Sequence, residues 1–253
     1  MRIILSPAKK MVYDPDAPNP QELPQFLNRT QRLLDRLRGM SPEELQALWQ
    51  CNDKIAAQNV ERLAHMDLCR ALTPAVFAYD GIAFKRMAPQ VFTADEEAYV
   101  AEHLRILSGF YGLLRPLDGV TPYRLEMQAK LAVDGAGDLY GFWGDALAKS
   151  LSRETDTVVN LASKEYARAV LAHLPGGTRV VTCAFCEMKG AKPVEKATLC
   201  KMARGEMVRF MAENRVARPE DVRAFDRYGF RFDRGLSDGQ SYVFIREGGK
   251  PHA

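Results

Sequence analysis

The sequence of 253 residues has no apolar run approaching the roughly 20 residues that a membrane-spanning helix needs. Its first residues lack the basic, apolar and small-residue order of a secretion signal. The five cysteines are an odd number, and a chain of this size needs no disulfides to stabilise its core. These absences predict a cytoplasmic protein that does not bind membranes.

Signatures of cofactors and metals are missing as well. The sequence has no GxGxxG, Walker A loop, GxSxG elbow or HExxH, and its four histidines have no ligand spacing. Cys183 and Cys186 form a CxxC, but no second CxxC accompanies it. We expect these two thiols to pack as small hydrophobic side chains, and we predict no metal and no cofactor.

Linkers, low-complexity tracts and internal repeats are also absent, which predicts a single domain over residues 1–253. With 47% hydrophobic residues, the chain can bury a large core. Strand-like runs, for example at residues 3–5 and 74–84, alternate with helical patterns such as 25–38 and 139–151. The pattern predicts a mixed α/β (α+β) fold with central strands and surrounding helices.

The net charge of +3 is too small to indicate nucleic-acid binding by itself. Basic residues are concentrated at residues 189–215, where seven lysines and arginines accompany three glutamates. This segment predicts either one basic wall or an amphipathic helix with paired charges.

The stretch at residues 105–127, RILSGFYGLLRPLDGVTPYRLEM, is the most informative part of the sequence. Gly109 permits a close approach by another group after a buried strand. Arg115 and Arg124 are each set by a nearby proline, which stiffens the loops that carry them. Two such guanidinium groups suit an anion, although each arginine has an acidic neighbour in the sequence with which it could pair instead.

Four other segments accompany this stretch: MRIILSPAK at residues 1–9, LYGFWG at 139–144, VNLASKEY at 159–166 and KMARG at 201–205. In this order and spacing, and above all through HLRILSGFYGLLRPLD followed by PYRLEM, the chain resembles the YaaA family of bacterial peroxide stress proteins. The resemblance covers nearly the whole chain. The matched positions are Ser6, Pro7, Lys9, Arg115, Arg124, Asn160, Glu165, Tyr166, Lys201, Arg204 and Gly205.

The resemblance implies a cytoplasmic protein of the oxidative stress response that limits iron-dependent damage. It also implies binding of double-stranded DNA through a basic cleft and a helix-hairpin-helix element. The segment LRGMSPEELQAL, at residues 37–48, is the place where we expect that element, with the turn at residues 51–53 as the alternative. The same sequence is also consistent with an ordinary turn between two helices that does not bind DNA.

Several strand-end and helix-start positions could form the basic cleft, and we expect little sequence preference because none of them suggests base-edge contacts. The predicted nucleic-acid-binding residues are Lys9, Lys10, Arg115, Arg124, Ser163, Lys164, Lys201, Arg204 and Arg209. The chain departs from the family pattern at Met202, where a second lysine is common, and at Lys10, where threonine is common. We predict double-stranded DNA as the partner, and the sequence shows no obvious protein partner.

A rival hypothesis is an enzyme that acts on a nucleobase or nucleotide, since carboxylates beside basic anchors can support glycosidic or hydrolytic chemistry. It predicts a small closed pocket with a raised carboxyl pKa, whereas a DNA-binding protein predicts an open groove. The possible pocket residues are Ser6, Asp80, Tyr123, Glu126, Asn160, Glu165 and Tyr166. A protein-interaction scaffold is a third possibility, with no signature in the sequence.

Overall fold

The computed structural model describes residues 1–190 and 192–246. Ten β-strands run through these residues. They are β1 (Arg2–Leu5), β2 (Thr73–Pro74), β3 (Leu104–Ser108), β4 (Gly112–Leu114), β5 (Gly119–Val120), β6 (Thr157–Asn160), β7 (Arg179–Lys189), β8 (Lys192–Glu195), β9 (Phe230–Phe232) and β10 (Ser241–Arg246).

Ten α-helices lie between the strands of the described chain. They are α1 (Leu27–Arg38), α2 (Pro42–Trp49), α3 (Asp53–His65), α4 (Ala75–Ala78), α5 (Ile82–Met87), α6 (Ala94–His103), α7 (Leu139–Trp143), α8 (Ala146–Glu154), α9 (Lys164–Leu171) and α10 (Ala197–Glu213). Short 3₁₀ turns occur at Pro89–Val91, Pro219–Ala224 and Arg227–Gly229. No helix in the described ranges is both long and apolar enough to cross a bilayer.

The helix starts follow local capping chemistry. Ser41 and Glu44 form a reciprocal capping box at the start of α2, with Pro42 in the first helical position. Thr93 and Glu96 do the same at α6. The sequence therefore fixes these two starts without tertiary help.

A mixed sheet in the order β4-β3-β1-β6-β7-β10-β9 forms the centre of the molecule, with β8 paired to β7. Strands β3, β1, β6, β7 and β10 are parallel, whereas β4, β8 and β9 run antiparallel to their neighbours. We call the edge at which β1, β3 and β6 end the carboxyl edge, and the edge at which they begin the amino edge. The loops at these two edges face opposite ends of the sheet.

Buried side chains from the sheet and the helices form one continuous hydrophobic core. Helix α6 packs on β1 and β3, and α10 packs on α5 and α6. The predicted mixed α/β fold is confirmed. Because sheet and helices share a single core, we continue to propose a single domain.

Two predicted elements are wrong. Residues 74–84 form the end of β2 and then α4 and α5, because most apolar side chains there are buried, which leaves no usable alternation. Residues 139–151 form two helices, α7 and α8, separated at Gly144, which has a φ of 51°. The left-handed backbone at that glycine ends α7.

Candidate functional site

The loops after β1 and β6 meet at the carboxyl edge. The chain leaves β1 towards β3 on one side and leaves β6 towards β7 on the other, so this is a topological switch point, where α/β proteins commonly bind ligands. The Ser163 amide donates to Ser6 Oγ at 2.8 Å, and the two hydroxyl oxygens lie 3.2 Å apart. Ser6 and Ser163, both predicted site residues, are therefore brought together.

A close backbone crossing at Gly109 adds the next part of the site. A Cβ at this position would lie 2.6 Å from the Leu125 carbonyl oxygen, so only glycine lets the chain at residues 125–127 cross directly over the end of β3. This crossing places Arg124 and Glu126 at the carboxyl edge. The expected close approach at Gly109 is confirmed.

Lys9, Arg124 and Glu126 form an ionic group above this crossing. Lys9 Nζ lies 2.8 Å from Glu126 Oε2, and Arg124 Nη2 lies 3.6 Å from Glu126 Oε1. Together with Tyr123 and Tyr166, they line a small cavity. The structure thus unites two predicted DNA-binding residues with three predicted pocket residues.

The Arg124 guanidinium is poorly satisfied for a buried charge. Its side chain is 12% exposed, and its Nη2 donates to the Trp49 carbonyl oxygen at 3.4 Å. Three buried side-chain nitrogens in the described chain have no hydrogen-bond partner, namely Trp49 Nε1, Arg124 Nε and Arg204 Nε. All three are N–H donors, and a buried donor without an acceptor costs about 1–3 kcal/mol. Two of them belong to predicted site arginines, which favours an acceptor-rich ligand.

The start of α9 contributes further donors. Its N-cap, Ser163, makes no side-chain capping hydrogen bond. Within the described ranges, no acceptor contacts the backbone amides of Lys164, Glu165 and Tyr166. Free amides at a helix start carry partial positive charge and suit anions.

Glu165 and Tyr166 follow at the same helix start. Burial raises the pKa of Glu165, and the nearby Glu126 carboxylate raises it further, although the Gln128 amide donates to Glu165 Oε1 at 3.2 Å. Burial also raises the pKa of Tyr166. The site therefore contains a carboxyl group that is easier to protonate than an ordinary glutamate.

A buried chain of hydroxyl groups lies behind the cavity, and the sequence indicates Tyr123 as a pocket residue but neither Ser108 nor Tyr79. Ser108 Oγ accepts the Phe110 and Tyr111 amides and lies 2.6 Å from the Tyr123 hydroxyl, which lies 2.9 Å from the Tyr79 hydroxyl. Because both lone pairs of Ser108 are taken, its proton must point to Tyr123. Burial raises the pKa of Tyr123 to about 12, so this chain stays neutral and positions the ring that lines the cavity.

Asp80 lies beside the loop after β1 but is held by two lysines. Lys10 and Lys85 both form ion pairs with its carboxylate, and the Asp80 amide donates to the Lys10 carbonyl oxygen at 2.9 Å. Hydrogen bonds from Lys10 and then from Lys85 hold the pKa of Asp80 below its ordinary value. Asp80 therefore acts as an ionised anchor, whereas the rival hypothesis required a pocket carboxyl with a raised pKa.

Helix α10 brings Arg204 and Lys201 towards the same edge. Arg204 lies close enough to Cys183 to affect its pKa, and Cys183 follows Thr182, which pairs with the end of β6. Lys201 lies one turn earlier on the helix and is exposed. In the described chain, neither Lys201 nor the exposed Lys164 has a carboxylate within 4.0 Å.

Arg115 is not part of this group, contrary to expectation. It follows β4, which runs antiparallel to β3, so the chain reverses and carries Arg115 to the amino edge. There it pairs with Glu22 and shares a small cavity with Arg105 and Glu154. The expected convergence of Arg115 with Arg124 is wrong.

Asp118 holds the turn that contains Arg115. The Arg115 amide donates to Asp118 Oδ2 at 2.8 Å, and burial raises the pKa of Asp118 to about 7. The two acidic residues that contact Arg115, Asp118 and Glu22, therefore have a structural role at the amino edge.

Four other residues that the sequence singles out have structural roles. Arg209 Nε donates to Glu213 Oε1 at 2.7 Å, which neutralises its charge. Asn160 Oδ1 accepts the Ala162 amide at 2.9 Å and shapes the loop after β6. Cys183 and Cys186 are buried, and burial raises their pKa values to about 12 and about 11, which confirms the expected packing of both thiols.

The two candidate turns for the helix-hairpin-helix element differ in how many of their backbone amides lack an acceptor. In the turn between α1 and α2, the amides of Gly39, Met40, Ser41 and Glu44 all have acceptors within the turn or its helices. In the turn between α2 and α3, no acceptor contacts the amides of Asn52 and Asp53 in the described structure. The second turn follows Trp49, whose carbonyl oxygen contacts Arg124.

These features define a mixed α/β protein with a cationic, donor-rich site at a topological switch point. The model of the family described as peroxide stress protein YaaA matches residues 1–236. The chain belongs to this family.

Curated relatives cover nearly the full length. A UPF0246 protein of Agathobacter rectalis is 53% identical over 247 residues, which is 98% of this chain and 99% of the relative. One from Lachnoclostridium phytofermentans is 50% identical over 246 residues, covering 97% and 96% of the two chains. One from Pediococcus pentosaceus is 47% identical over 246 residues, covering 97% and 98%.

Proposed function

We propose that this protein acts in the bacterial cytoplasm by binding duplex DNA, without sequence preference, through the carboxyl edge, and so limits iron-dependent oxidative damage. The proposed groove contains Lys9, Arg124, Lys164, Lys201 and Arg204, together with the start of α9. Lys10, Arg115 and Arg209 are left out because of their positions and their acidic partners.

The buried Arg124 guanidinium is the observation that carries the proposal. The side chain is 88% removed from solvent, its Nη2 lies 3.6 Å from Glu126 Oε1, and its Nε has no hydrogen-bond partner. It therefore lacks the partners that normally offset the desolvation of a buried charge. Phosphate oxygens would supply such partners in bidentate geometry. Arg204, with its own unpaired Nε, supports the same ligand chemistry.

The turn between α2 and α3 is the better candidate for the family's helix-hairpin-helix element. Its unpaired amides at Asn52 and Asp53 can donate to phosphate, and it adjoins Arg124 through Trp49. The turn at Gly39 and Met40 has already used its amides internally.

Duplex affinity measured by fluorescence anisotropy over a range of salt concentrations tests the proposal. Four to five phosphate contacts predict a log–log slope of about −4. The double variant Lys164→Gln/Lys201→Gln should flatten that slope by about two and weaken binding of all duplex sequences alike. Affinity that does not change with salt would contradict the groove.

A charge-matched control is available on α8. The double variant Lys149→Gln/Arg153→Gln removes the same charge near the amino edge, since the adjacent Glu154 binds Arg2 and Arg105. Its slope should equal that of the unaltered protein. An equal loss in both double variants would show that only net charge matters.

The second candidate, an enzyme acting on a nucleobase or nucleotide, is favoured by one observation. Glu165 has a raised pKa and lies near Glu126 beside a small cavity. In this candidate, Glu165 would donate a proton and Glu126, which contacts Lys9 and Arg124, would accept one.

Incubation with damaged-base duplexes and free nucleotides, followed by chromatography, tests this candidate. The enzyme hypothesis would be supported if the protein forms product at a low level and if Glu165→Gln abolishes product formation but leaves duplex affinity unchanged. If neither base release nor cleavage occurs, the enzyme hypothesis is rejected and the binding hypothesis stands.

A further inference from the structure

The hairpin of β7 and β8 extends from the carboxyl edge. Strand β7 pairs with the end of β6 at Thr182 and continues to Lys189 in the same direction. Its last residues pair with β8 alone among the described strands, since the register with β10 ends at Glu187. We call residues 187–190 and 192–195 the arm.

The register of the arm places like residues opposite each other. Lys189 pairs with Lys192, and Met188 pairs with Pro193. Because neighbouring residues in a strand point to opposite faces, the two lysines share one face and the methionine and proline share the other. The tip of the arm thus has one cationic face and one apolar face. At the base of the arm, Glu187 lies on the lysine face, where it pairs with Lys196 and Arg246, and Glu195 lies on the apolar face.

Neither face is stabilised within the protein. Directly opposed like charges destabilise an antiparallel pair, and no carboxylate in the described chain contacts Lys189 or Lys192. Met188 is 41% exposed, and Pro193 is exposed beside it. A bound partner that neutralises the two lysines and covers Met188 and Pro193 would account for this arrangement.

We propose that the arm enters the minor groove of duplex DNA and that Met188 and Pro193 insert between base steps and bend the duplex. Apolar wedges of methionine or proline carried on β-ribbons kink DNA in this way, and flanking lysines contact the phosphates. The inference rests on the proposed function, because the arm adjoins the groove at the carboxyl edge. The two opposed lysines at the tip and this continuity make duplex DNA the occupant, in preference to a second copy of the chain.

Energy transfer between dyes at the two ends of a short duplex measures the bend. The unaltered protein should raise the transfer efficiency, and Met188→Ser/Pro193→Ser should remove most of that rise while weakening duplex affinity only about threefold to tenfold. Val194→Ser is the matched control, since Val194 is 39% exposed on the same strand as Pro193 but on the other face, and it should bend DNA as the unaltered protein does.

The outcomes separate the two proposals. The role of the arm would be overturned if duplex binding is tight and salt-dependent but no bend occurs, or if the double variant still bends the duplex. Either result would leave the proposed function intact. If no duplex binds at any salt concentration, both proposals fall. A dimer in gel filtration that the double variant dissociates would identify a second chain as the occupant and reject the wedge.

Discussion

Replacing Gly205 with valine will destabilise the protein by at least about 3 kcal/mol, the upper range for overpacked cores. A Cβ at this position would lie 1.9 Å from the Ala83 carbonyl oxygen and 2.7 Å from its carbonyl carbon, so α10 and α5 must separate to admit any side chain. Backbone atoms cannot move aside as a side chain can. The expected loss is a large fraction of the 5–15 kcal/mol that stabilises a typical domain.

Thermal unfolding measures this effect. For a chain of this length the melting temperature should fall by about 6–12 °C, and Gly205→Ala should cause a smaller fall in the same direction. Gly176→Val is the matched control, because a Cβ at Gly176 meets no atom within 4 Å. Equal melting temperatures for the Gly205 and Gly176 variants would show that α10 does not pack on α5 in this way.

Gly205 also links stability to the candidate site. It follows Arg204 and lies on the α10 surface that contacts α5, while α5 carries Lys85, which holds Asp80 beside the loop after β1. The contact therefore fixes how α10 presents Lys201 and Arg204 to the carboxyl edge. A partly folded Gly205 variant should lose duplex affinity along with stability.

The sequence was sufficient for features that depend on neighbouring residues. The caps of α2 and α6 follow from Ser41 with Glu44 and from Thr93, because these hydrogen bonds form within one helical turn. The sequence indicates a close approach at Gly109, and the chain does cross there. The partner at that crossing, residues 125–127, could not be named, since glycine shows that space is needed but not what fills it.

Features that depend on chain direction were harder to predict. Arg115 and Arg124 follow similar loops and looked equivalent, but the antiparallel course of β4 sends them to opposite edges of the sheet. The ion pairs of Lys9 with Glu126 and of Arg115 with Glu22 join distant residues, so no local pattern indicates them. The hydroxyl chain through Tyr79 and Ser108 is invisible for the same reason.

Replacing Arg124 with glutamine will weaken duplex binding by about 10–100-fold, because hydrogen bonds to a charged group contribute about 1.5–3 kcal/mol each. The loss should be the same for every duplex sequence. Arg124→Lys should recover little of it, since lysine keeps the charge but cannot offer the paired N–H groups of the guanidinium. Fluorescence anisotropy at a fixed salt concentration measures all three proteins.

Arg115→Gln provides the control, because it makes the same chemical change at the amino edge, where Arg115 pairs with Glu22. Its duplex affinity should stay within about twofold of the unaltered protein. Thermal unfolding of Arg124→Gln separates binding from stability: the buried guanidinium has few partners in the free protein, so its removal should change the melting temperature little. If both arginine variants bind duplex equally well, the cationic groove is not where the protein meets DNA, and if Arg115→Gln alone loses affinity, the amino edge takes that role.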